Sequence, residues 1–159
     1  MYDPLLLPEL REMLLERDEV AMREFCEVFH PASVAENLEQ LEDAELWEIL
    51  RHATRPRQVE IFEFISLDRQ RDLVSSAEKS HLAELIEEMA PDDRADLLSG
   101  LPVAQVEELL PLVAQAERAE IRRLLSYKPS SAGSLMTTDY ASLPADVTVR
   151  DALNLLRLQ

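Results

Sequence analysis

Glycine, cysteine and aromatic residues are scarce in this chain, and each scarcity limits what it can be. Its 159 residues include two glycines, one cysteine and 5% aromatics, whereas Leu, Ala, Glu and Arg are plentiful. This composition predicts an all-α fold. Cys26 has no partner for an intrachain disulfide, so we expect a reducing cytosolic setting. It lies between Phe25 and Glu27 in a helical pattern, and we predict that it belongs to the core.

Positive charge is also scarce. Sixteen Lys and Arg against 32 Asp and Glu give a net charge of −16, which disfavours nucleic acid and anionic membrane surfaces as partners. Cations or basic proteins are favoured instead. No apolar run approaches the roughly 18 residues of a membrane span, and the opening residues lack a signal-peptide core, so we expect this chain to be soluble.

Catalytic motifs are missing as well. The sequence has no nucleophile elbow, no Gly-rich phosphate loop, no CxxC pair and no HExxH motif. Its three histidines are dispersed without metal-ligand spacing, and capping or surface roles are expected for them. We therefore expect that the chain is not an enzyme.

Apolar positions recur every 24 residues. Leu41, Ile65 and Met89 mark this spacing, and an apolar pair follows each of them eight residues later. The three pairs are Ile49-Leu50, Leu73-Val74 and Leu97-Leu98. A unit of this length holds two short helices that cannot bury their apolar faces alone, so neighbouring units must stack. The repeat predicts a helical solenoid.

Aromatic and capping residues add detail to this prediction. Trp47, Phe62 and Phe64 are expected in the core between stacked helices. Helix starts are predicted at Asp18 as an N-cap, at Pro31 and Pro91 as first helical residues, and at Thr148, which has Asp151 three residues on.

The next unit follows the 24-residue repeat less closely. One helix is predicted to include Val106 to Val113, and a longer link is predicted after it at 114–118.

The composition changes at Tyr127. Residues 128–137 are rich in Pro, Ser and Gly, which predicts a linker, and residues 138–144 are predicted to be extended. We therefore divide the chain into a helical domain at 1–127, a linker at 128–137 and an incomplete second domain at 138–159. The last predicted helix reaches Gln159 without a stop signal, so we expect the chain to be a piece of a longer protein.

Three carboxylates cluster at one predicted helix start. Asp92, Asp93 and Asp96 follow Pro91 and share one side of the first turn and a half. The helix dipole offsets about 0.3–1 kcal/mol per carboxylate. Three like charges in one turn are better explained if a cation such as magnesium or calcium sometimes binds among them. The alternative is a solvated acidic helix start that binds nothing.

The C-terminal residues carry a family resemblance. Tyr127, then Ser131-Ala132-Gly133-Ser134-Leu135-Met136-Thr137, Tyr140 and Val147-Thr148-Val149-Arg150-Asp151-Ala152-Leu153, resemble the junction into the first cystathionine-β-synthase (CBS) domain of MgtE-type magnesium transporters. The two-helix units resemble the cytoplasmic N-terminal domain of the same family. This resemblance implies a right-handed superhelix of short helices, followed by a linker and a truncated α/β CBS-domain start.

The resemblance also implies a function. The chain would be the cytosolic regulatory portion, sensing Mg²⁺ and gating, of a homodimeric transporter at the cytoplasmic side of the cell membrane. Its partners would be its own CBS domains and a transmembrane pore, which are missing from this chain. Asp92, Asp93 and Asp96 match the family's acidic ligands at a helix start, and Glu60, after Pro56-Arg57-Gln58-Val59, matches a ligand of the preceding unit.

Two other classes stay open. Such helical units also resemble the middle domain of flagellar switch proteins, where they are protein-protein scaffolds, and the acidic face would then dock a basic partner. A CBS-regulated enzyme is the third possibility. The predicted CBS junction favours the transporter over the flagellar scaffold.

Overall fold

The structure is a computed structural model that describes residues 6–128, 131–134, 136–138 and 141–157. Within these ranges the chain forms α-helices and two short 3₁₀ turns and no strand, so the predicted all-α fold is confirmed for the described residues. The helices are α1 Leu6–Glu16, α2 Glu19–Val28, α3 Pro31–Leu38, α4 Asp43–Leu50, α5 Arg55–Phe64, α6 Leu67–Ser76, α7 Lys79–Glu88, α8 Pro91–Ser99, α9 Val103–Leu109, α10 Gln115–Leu125 and α11 Val149–Leu156.

From α2 to α8, all helices except α7 pack against the helix two places further along the chain. Helices α2, α4, α6, α8 and α10 form one row, while α3, α5 and α7 form a second row that ends on the 3₁₀ turn Leu110–Leu112. Helices of this length are marginal alone and depend on such packing. Leu41, Ile65 and Met89 are all buried where one helix passes to the next. The core therefore runs along the whole stack between the two rows.

The predicted helix starts are confirmed. The Asp18 side chain accepts from Ala21 N–H, Pro31 and Pro91 are first helical residues, and Thr148 Oγ1 accepts from Asp151 N–H. His30 Nδ1 accepts from Ala32 N–H at the start of α3, as expected of a capping histidine. Local sequence therefore fixes where these helices begin.

The core contains two of the three predicted aromatics. Phe62 is fully buried and stacks on Trp47 with 5.8 Å between ring centroids. The prediction for Phe64 was wrong, because its side chain is 55% exposed. The buried residues of α5 are Gln58, Val59, Ile61 and Phe62, and at about 3.6 residues per turn Phe64 points away from the centre of that face. Cys26 is buried as predicted, and burial raises the pKa of its thiol to about 12.

The predicted link at 114–118 was also wrong. Helix α10 begins at Gln115, so only Val113 and Ala114 separate it from the 3₁₀ turn. Val113 lies 24 residues after Met89 and is buried like its three counterparts. The repeat therefore continues into a fourth unit. Burial of Val113 fixes the position of the chain just before helix α10 begins.

Four helices begin with the same arrangement of hydrogen bonds. Their N-cap N–H groups donate to the Oε1 atom of a glutamate 27 residues earlier. The pairs are Thr54 with Glu27, Ser66 with Glu39, Ala90 with Glu63, and Ala114 with Glu87. An N-cap N–H has no partner inside its own helix, so these glutamates satisfy it from a neighbouring helix. We call the four contacts the glutamate rungs.

The same four helices also share a polar residue at the fourth helical position. This side chain turns back and donates to the carbonyl five residues earlier. The donors are Gln58, Gln70, Arg94 and Arg118. The first three are buried, and these hydrogen bonds satisfy the carbonyls that precede each of the four helices. Polar groups therefore set the position of each helix start.

The chain leaves the helical stack through a packed segment. The 3₁₀ turn Ala132–Ser134 contacts both α8 and α10. A Cβ atom on Gly133 would lie 2.4 Å from Cδ1 of Tyr127, so only glycine fits beneath this ring. Of the segment predicted to be extended, residues 139 and 140 lie outside the described residues, and 141–144 have no regular secondary structure. Among the described residues, no helix is long and apolar enough to cross a membrane.

Candidate metal site

The three aspartates predicted from spacing lie at the start of α8. Pro91 is the first residue of this helix, so Asp92 and Asp93 occupy its first turn, where the positive end of the helix dipole favours carboxylates. Asp92 is half-buried, whereas Asp93 and Asp96 are exposed. The three side chains therefore form an acidic face that is open to solvent.

These carboxylates repel one another. The pKa of Asp93 is raised, first because the group is partly desolvated and then because Asp92 and Asp96 are negative. The ionised Asp93 side chain is thus less favourable in the folded chain than in an unfolded one, in spite of the helix dipole. A cation or a hydrogen-bond donor placed here would relieve this repulsion.

A fourth acidic side chain, Glu63, joins this face from α5. Burial raises the pKa of Glu63, the Ala90 N–H opposes that shift, and Asp93, Asp92 and Glu60 raise the pKa further. The fold therefore places α5 carboxylates beside those of α8. Sequence reasoning missed Glu63. The signal that could have found it is the spacing of Glu39, Glu63 and Glu87, which matches the 24-residue repeat.

Glu60 has a protein partner in this structure. Its Oε2 atom lies 2.7 Å from Nη1 of Arg57, and its side chain is 55% exposed. Arg57 is held in place because it also donates to the carbonyls of Cys26 and Phe29 at the end of α2. One carboxylate oxygen of Glu60 is thus used by Arg57. For Glu60 to be a metal ligand, its other oxygen must bind the ion or the carboxylate must leave Arg57.

The residues present fit part of a magnesium site. Carboxylate oxygens are the ligands that Mg²⁺ prefers, and the ion usually keeps several waters and takes one or two carboxylates. Within the described part of the chain, no group of three or more His, Cys, Asp or Glu side chains converges closely enough to hold an ion. An exposed acidic face without convergence suits a site that is completed by a second surface.

Replacing Asp93 with Asn is expected to stabilise the chain by about 0.2–0.5 kcal/mol at neutral pH without divalent cations, the usual effect of removing a like-charge contact on a helix. The pKa of Asp93 is higher in the folded chain than in the unfolded one, so protonated Asp93 favours the folded state. This contribution to stability is full below the ordinary Asp pKa and is lost as the pH rises through the pKa of the folded chain. Urea unfolding at acidic and neutral pH should show a gain for Asp93→Asn at neutral pH that disappears in acid.

Asp68→Asn is the control for this measurement. Asp68 also lies in the first turn of a helix, but it is 98% exposed and pairs with Arg71 at 3.3 Å. Removing this charge should leave stability unchanged or slightly lower at neutral pH. If Asp93→Asn lowers stability as much as Asp68→Asn does, the carboxylates of α8 do not repel one another appreciably.

Comparison with known proteins identifies the family. The sequence model of the MgtE intracellular N domain matches residues 29–130. The structure of the soluble part of a magnesium transporter is similar, with a TM-score of 0.83 and 27% identity over 96% of this chain. The cytosolic domain of the Mg²⁺ channel MgtE, solved in complex with ATP, is similar with a TM-score of 0.84 and 29% identity over 96% of this chain.

The chain spans 60% and 63% of the lengths of those two solved chains. No curated protein sequence matches it. The family is one of transporter domains and not of enzymes. The match over most of the helical stack shows that this chain belongs to the MgtE intracellular N domain family.

Proposed function

We propose that this chain is the cytosolic regulatory portion of a magnesium transporter, and that it senses Mg²⁺ and helps to gate the pore. The observation that carries this proposal is the acidic face of α8, where partly desolvated carboxylates repel one another in the absence of a cation. Support comes from the two solved neighbours, one from a magnesium transporter and the other from a Mg²⁺ channel. No catalytic role is proposed.

We propose that the helical stack is a right-handed superhelix and that residues 138–159 begin a CBS domain after a linker at 128–137. The pairwise packing of every second helix supports the superhelix. Helix α11 supports the second domain, because none of its residues is buried and its apolar side chains Val149, Leu153 and Leu156 are exposed. Such a face requires a further layer of protein.

At the site, Asp92, Asp93, Asp96 and Glu60 would hold Mg²⁺ together with ligands from the protein's own CBS domains. The bound ion would supply the positive charge that two facing acidic surfaces lack. Three of these carboxylates lie at the start of α8, where Asp93 and Asp96 are exposed and Asp92 is half-buried, and Glu60 lies on α5. Without the ion, these charges repel the facing surface.

The energetics set a condition on this mechanism. A ligand that binds only the compact state stabilises that state by RT ln(1 + [L]/Kd), about 2.7 kcal/mol at a hundredfold excess over Kd. Only a difference in affinity between the two states shifts their populations.

We propose that the protein is a homodimer at the cytoplasmic side of the cell membrane, and that low Mg²⁺ lets the acidic surfaces move apart.

The test is a Mg²⁺ titration followed by small-angle scattering and protease protection, on a longer protein that includes the CBS domains. Wild type should become compact as Mg²⁺ rises. The Asp92→Asn, Asp93→Asn, Asp96→Asn triple variant should need at least roughly tenfold more Mg²⁺, because it keeps the side-chain shapes but removes the charges. The 159-residue chain alone should bind Mg²⁺ only weakly, since it offers part of a coordination shell.

A second triple variant provides the control. Glu9, Glu12 and Glu16 are exposed on α1, and changing all three to Gln removes the same charge away from α8. This variant should become compact at the wild-type Mg²⁺ concentration. If the α8 variant also does so, the acidic face is not part of the sensor and its carboxylates are simply solvated. Under the scaffold hypothesis, Mg²⁺ would not change the compactness of any of these proteins.

A further inference from the structure

One of the four glutamate rungs lies inside the acidic site and differs from the others in length. The nitrogen of Thr54 is 2.9 Å from Glu27 Oε1, and that of Ser66 is 2.6 Å from Glu39 Oε1. The nitrogen of Ala90 is 3.4 Å from Glu63 Oε1, beyond the usual range for an N–H···O hydrogen bond. The Glu63 rung is therefore the loosest of those three.

The charges at the helix starts account for this difference. Glu63 is repelled by Asp93, Asp92 and Glu60, and the two aspartates lie two and three residues after Ala90, in the first turn of α8. Carboxylates at the starts of α6 and α10 are paired with cations instead, since Asp68 lies 3.3 Å from Arg71 and Glu117 lies 2.6 Å from Arg94. A carboxylate that approaches the Ala90 N–H must thus approach two other carboxylates as well.

We propose that Glu63 is the positioning residue of the Mg²⁺ site, and that its contact with the Ala90 N–H tightens when a cation neutralises the aspartates of α8. The inference rests on the proposed function, because it takes Mg²⁺ as that cation. Glu63 acts through the backbone of Ala90, whose position sets that of Asp92 and Asp93. The rung then ties α5 to the start of α8 in the cation-bound state.

Hydrogen exchange of backbone amides in the 159-residue chain, followed by NMR as MgCl₂ is added, tests this proposal. Exchange of the Ala90 amide should slow by roughly tenfold, the factor expected for a hydrogen bond to a charged acceptor. The amides of Thr54 and Ser66 are internal controls and should not change, because their rungs are already formed. Equal slowing at all three amides would overturn the proposal, since it would show only general stabilisation.

Variants separate a positioning role from a ligand role. Glu63→Ala removes the rung and should weaken Mg²⁺ binding roughly tenfold, measured from the amide shifts of Asp92 and Asp93. Glu63→Gln keeps an oxygen acceptor without the charge and should bind Mg²⁺ within about threefold of wild type. Glu39→Ala removes the equivalent rung at α6 and should leave Mg²⁺ binding unchanged.

Three results would count against the inference. If Glu63→Gln weakens binding as much as Glu63→Ala, the charge matters and Glu63 is a ligand. If Glu39→Ala weakens binding equally, the effect is a general loosening of the stack. If wild-type Asp92 and Asp93 amides shift with Mg²⁺ but Ala90 exchange does not slow, this inference fails and the proposed function stands. If those amides do not respond to Mg²⁺ at all, the α8 face of this chain binds no cation by itself and this inference fails, whereas the proposed function is decided by the titration of the longer protein.

Discussion

Phe62→Ala is expected to lower the free energy of unfolding by about 3–5 kcal/mol, the usual cost of a large cavity in a core. Phe62 has no exposed surface, and its ring stacks on Trp47 across the boundary between α4 and α5. Its removal also deletes an aromatic pair worth about 0.5–1.5 kcal/mol. Trp47 is the only tryptophan of the chain, so its fluorescence reports urea unfolding of this region directly.

Phe64→Ala is the matched control, since it makes the same chemical change two residues away on the same helix. The Phe64 side chain is 55% exposed and touches His30 edge-on, with 5.8 Å between the ring centroids. Its removal should change stability by no more than about 0.5 kcal/mol. Equal losses for the two variants would mean that Phe64 is buried in solution and that the exposed face of α5 is covered.

These two phenylalanines show what sequence reasoning about the core can and cannot do. Composition says that aromatic residues are usually buried, but helical periodicity decides which ones. Val59 and Phe62 lie three residues apart and share the buried face of α5, whereas Phe64 does not share it. Three-residue spacing alone does not exclude Phe64, because Ile61 lies three residues before it and is fully buried. The outcome depends on where the centre of the buried face lies, which the packing of α5 against α3 and α7 decides.

The 24-residue repeat was predictive where its marker was a large apolar residue. Leu41, Ile65 and Met89 are such markers, and all three are buried. The repeat was lost at Val113, because the polar sequence after it resembles a link. Ala, Gln, Glu and Arg are nevertheless good helix formers, and α10 begins among them.

The acidic face was predictable only in part. The spacing of Asp92, Asp93 and Asp96 follows from helix geometry alone, and Glu60 came from a family resemblance. Glu63 could not be found by local reasoning, since its contact is with an N–H group 27 residues further along the chain. Contacts of this range depend on how the helices stack. Only their recurrence at the repeat spacing makes them visible in a sequence.

Arg94 shows the same principle inside the core. It lies 24 residues after Gln70 and 24 before Arg118, and all three side chains turn back to the carbonyl five residues earlier. Arg94 is only 4% exposed, so its charge has been taken out of water. Glu117 of α10 lies 2.6 Å away and supplies the opposite charge. The repeat thus places an ion pair where an earlier unit has a neutral glutamine.

Glu117→Ala is therefore expected to lower the free energy of unfolding by about 3 kcal/mol, because it leaves a buried cation without its partner. This value is at the lower end of the range for broken buried pairs, since Glu117 is 35% exposed and water can reach its side of the pair. Thermal or urea unfolding of the variant gives the measurement. A loss below about 0.5 kcal/mol would show that the pair behaves like an exposed one.

Arg94→Gln distinguishes the buried charge from other consequences of changing Glu117. Gln58 donates from Nε2 to the carbonyls seven and five residues earlier, at 3.4 and 2.8 Å, so a glutamine at position 94 can make the corresponding bonds to Glu87 and Met89. With a neutral residue there, no buried charge needs a partner. In the Arg94→Gln background, Glu117→Ala should then cost no more than about 0.5 kcal/mol. If it still costs about 3 kcal/mol, Glu117 stabilises α10 by some route other than Arg94, and the ion pair is not what joins α8 to α10.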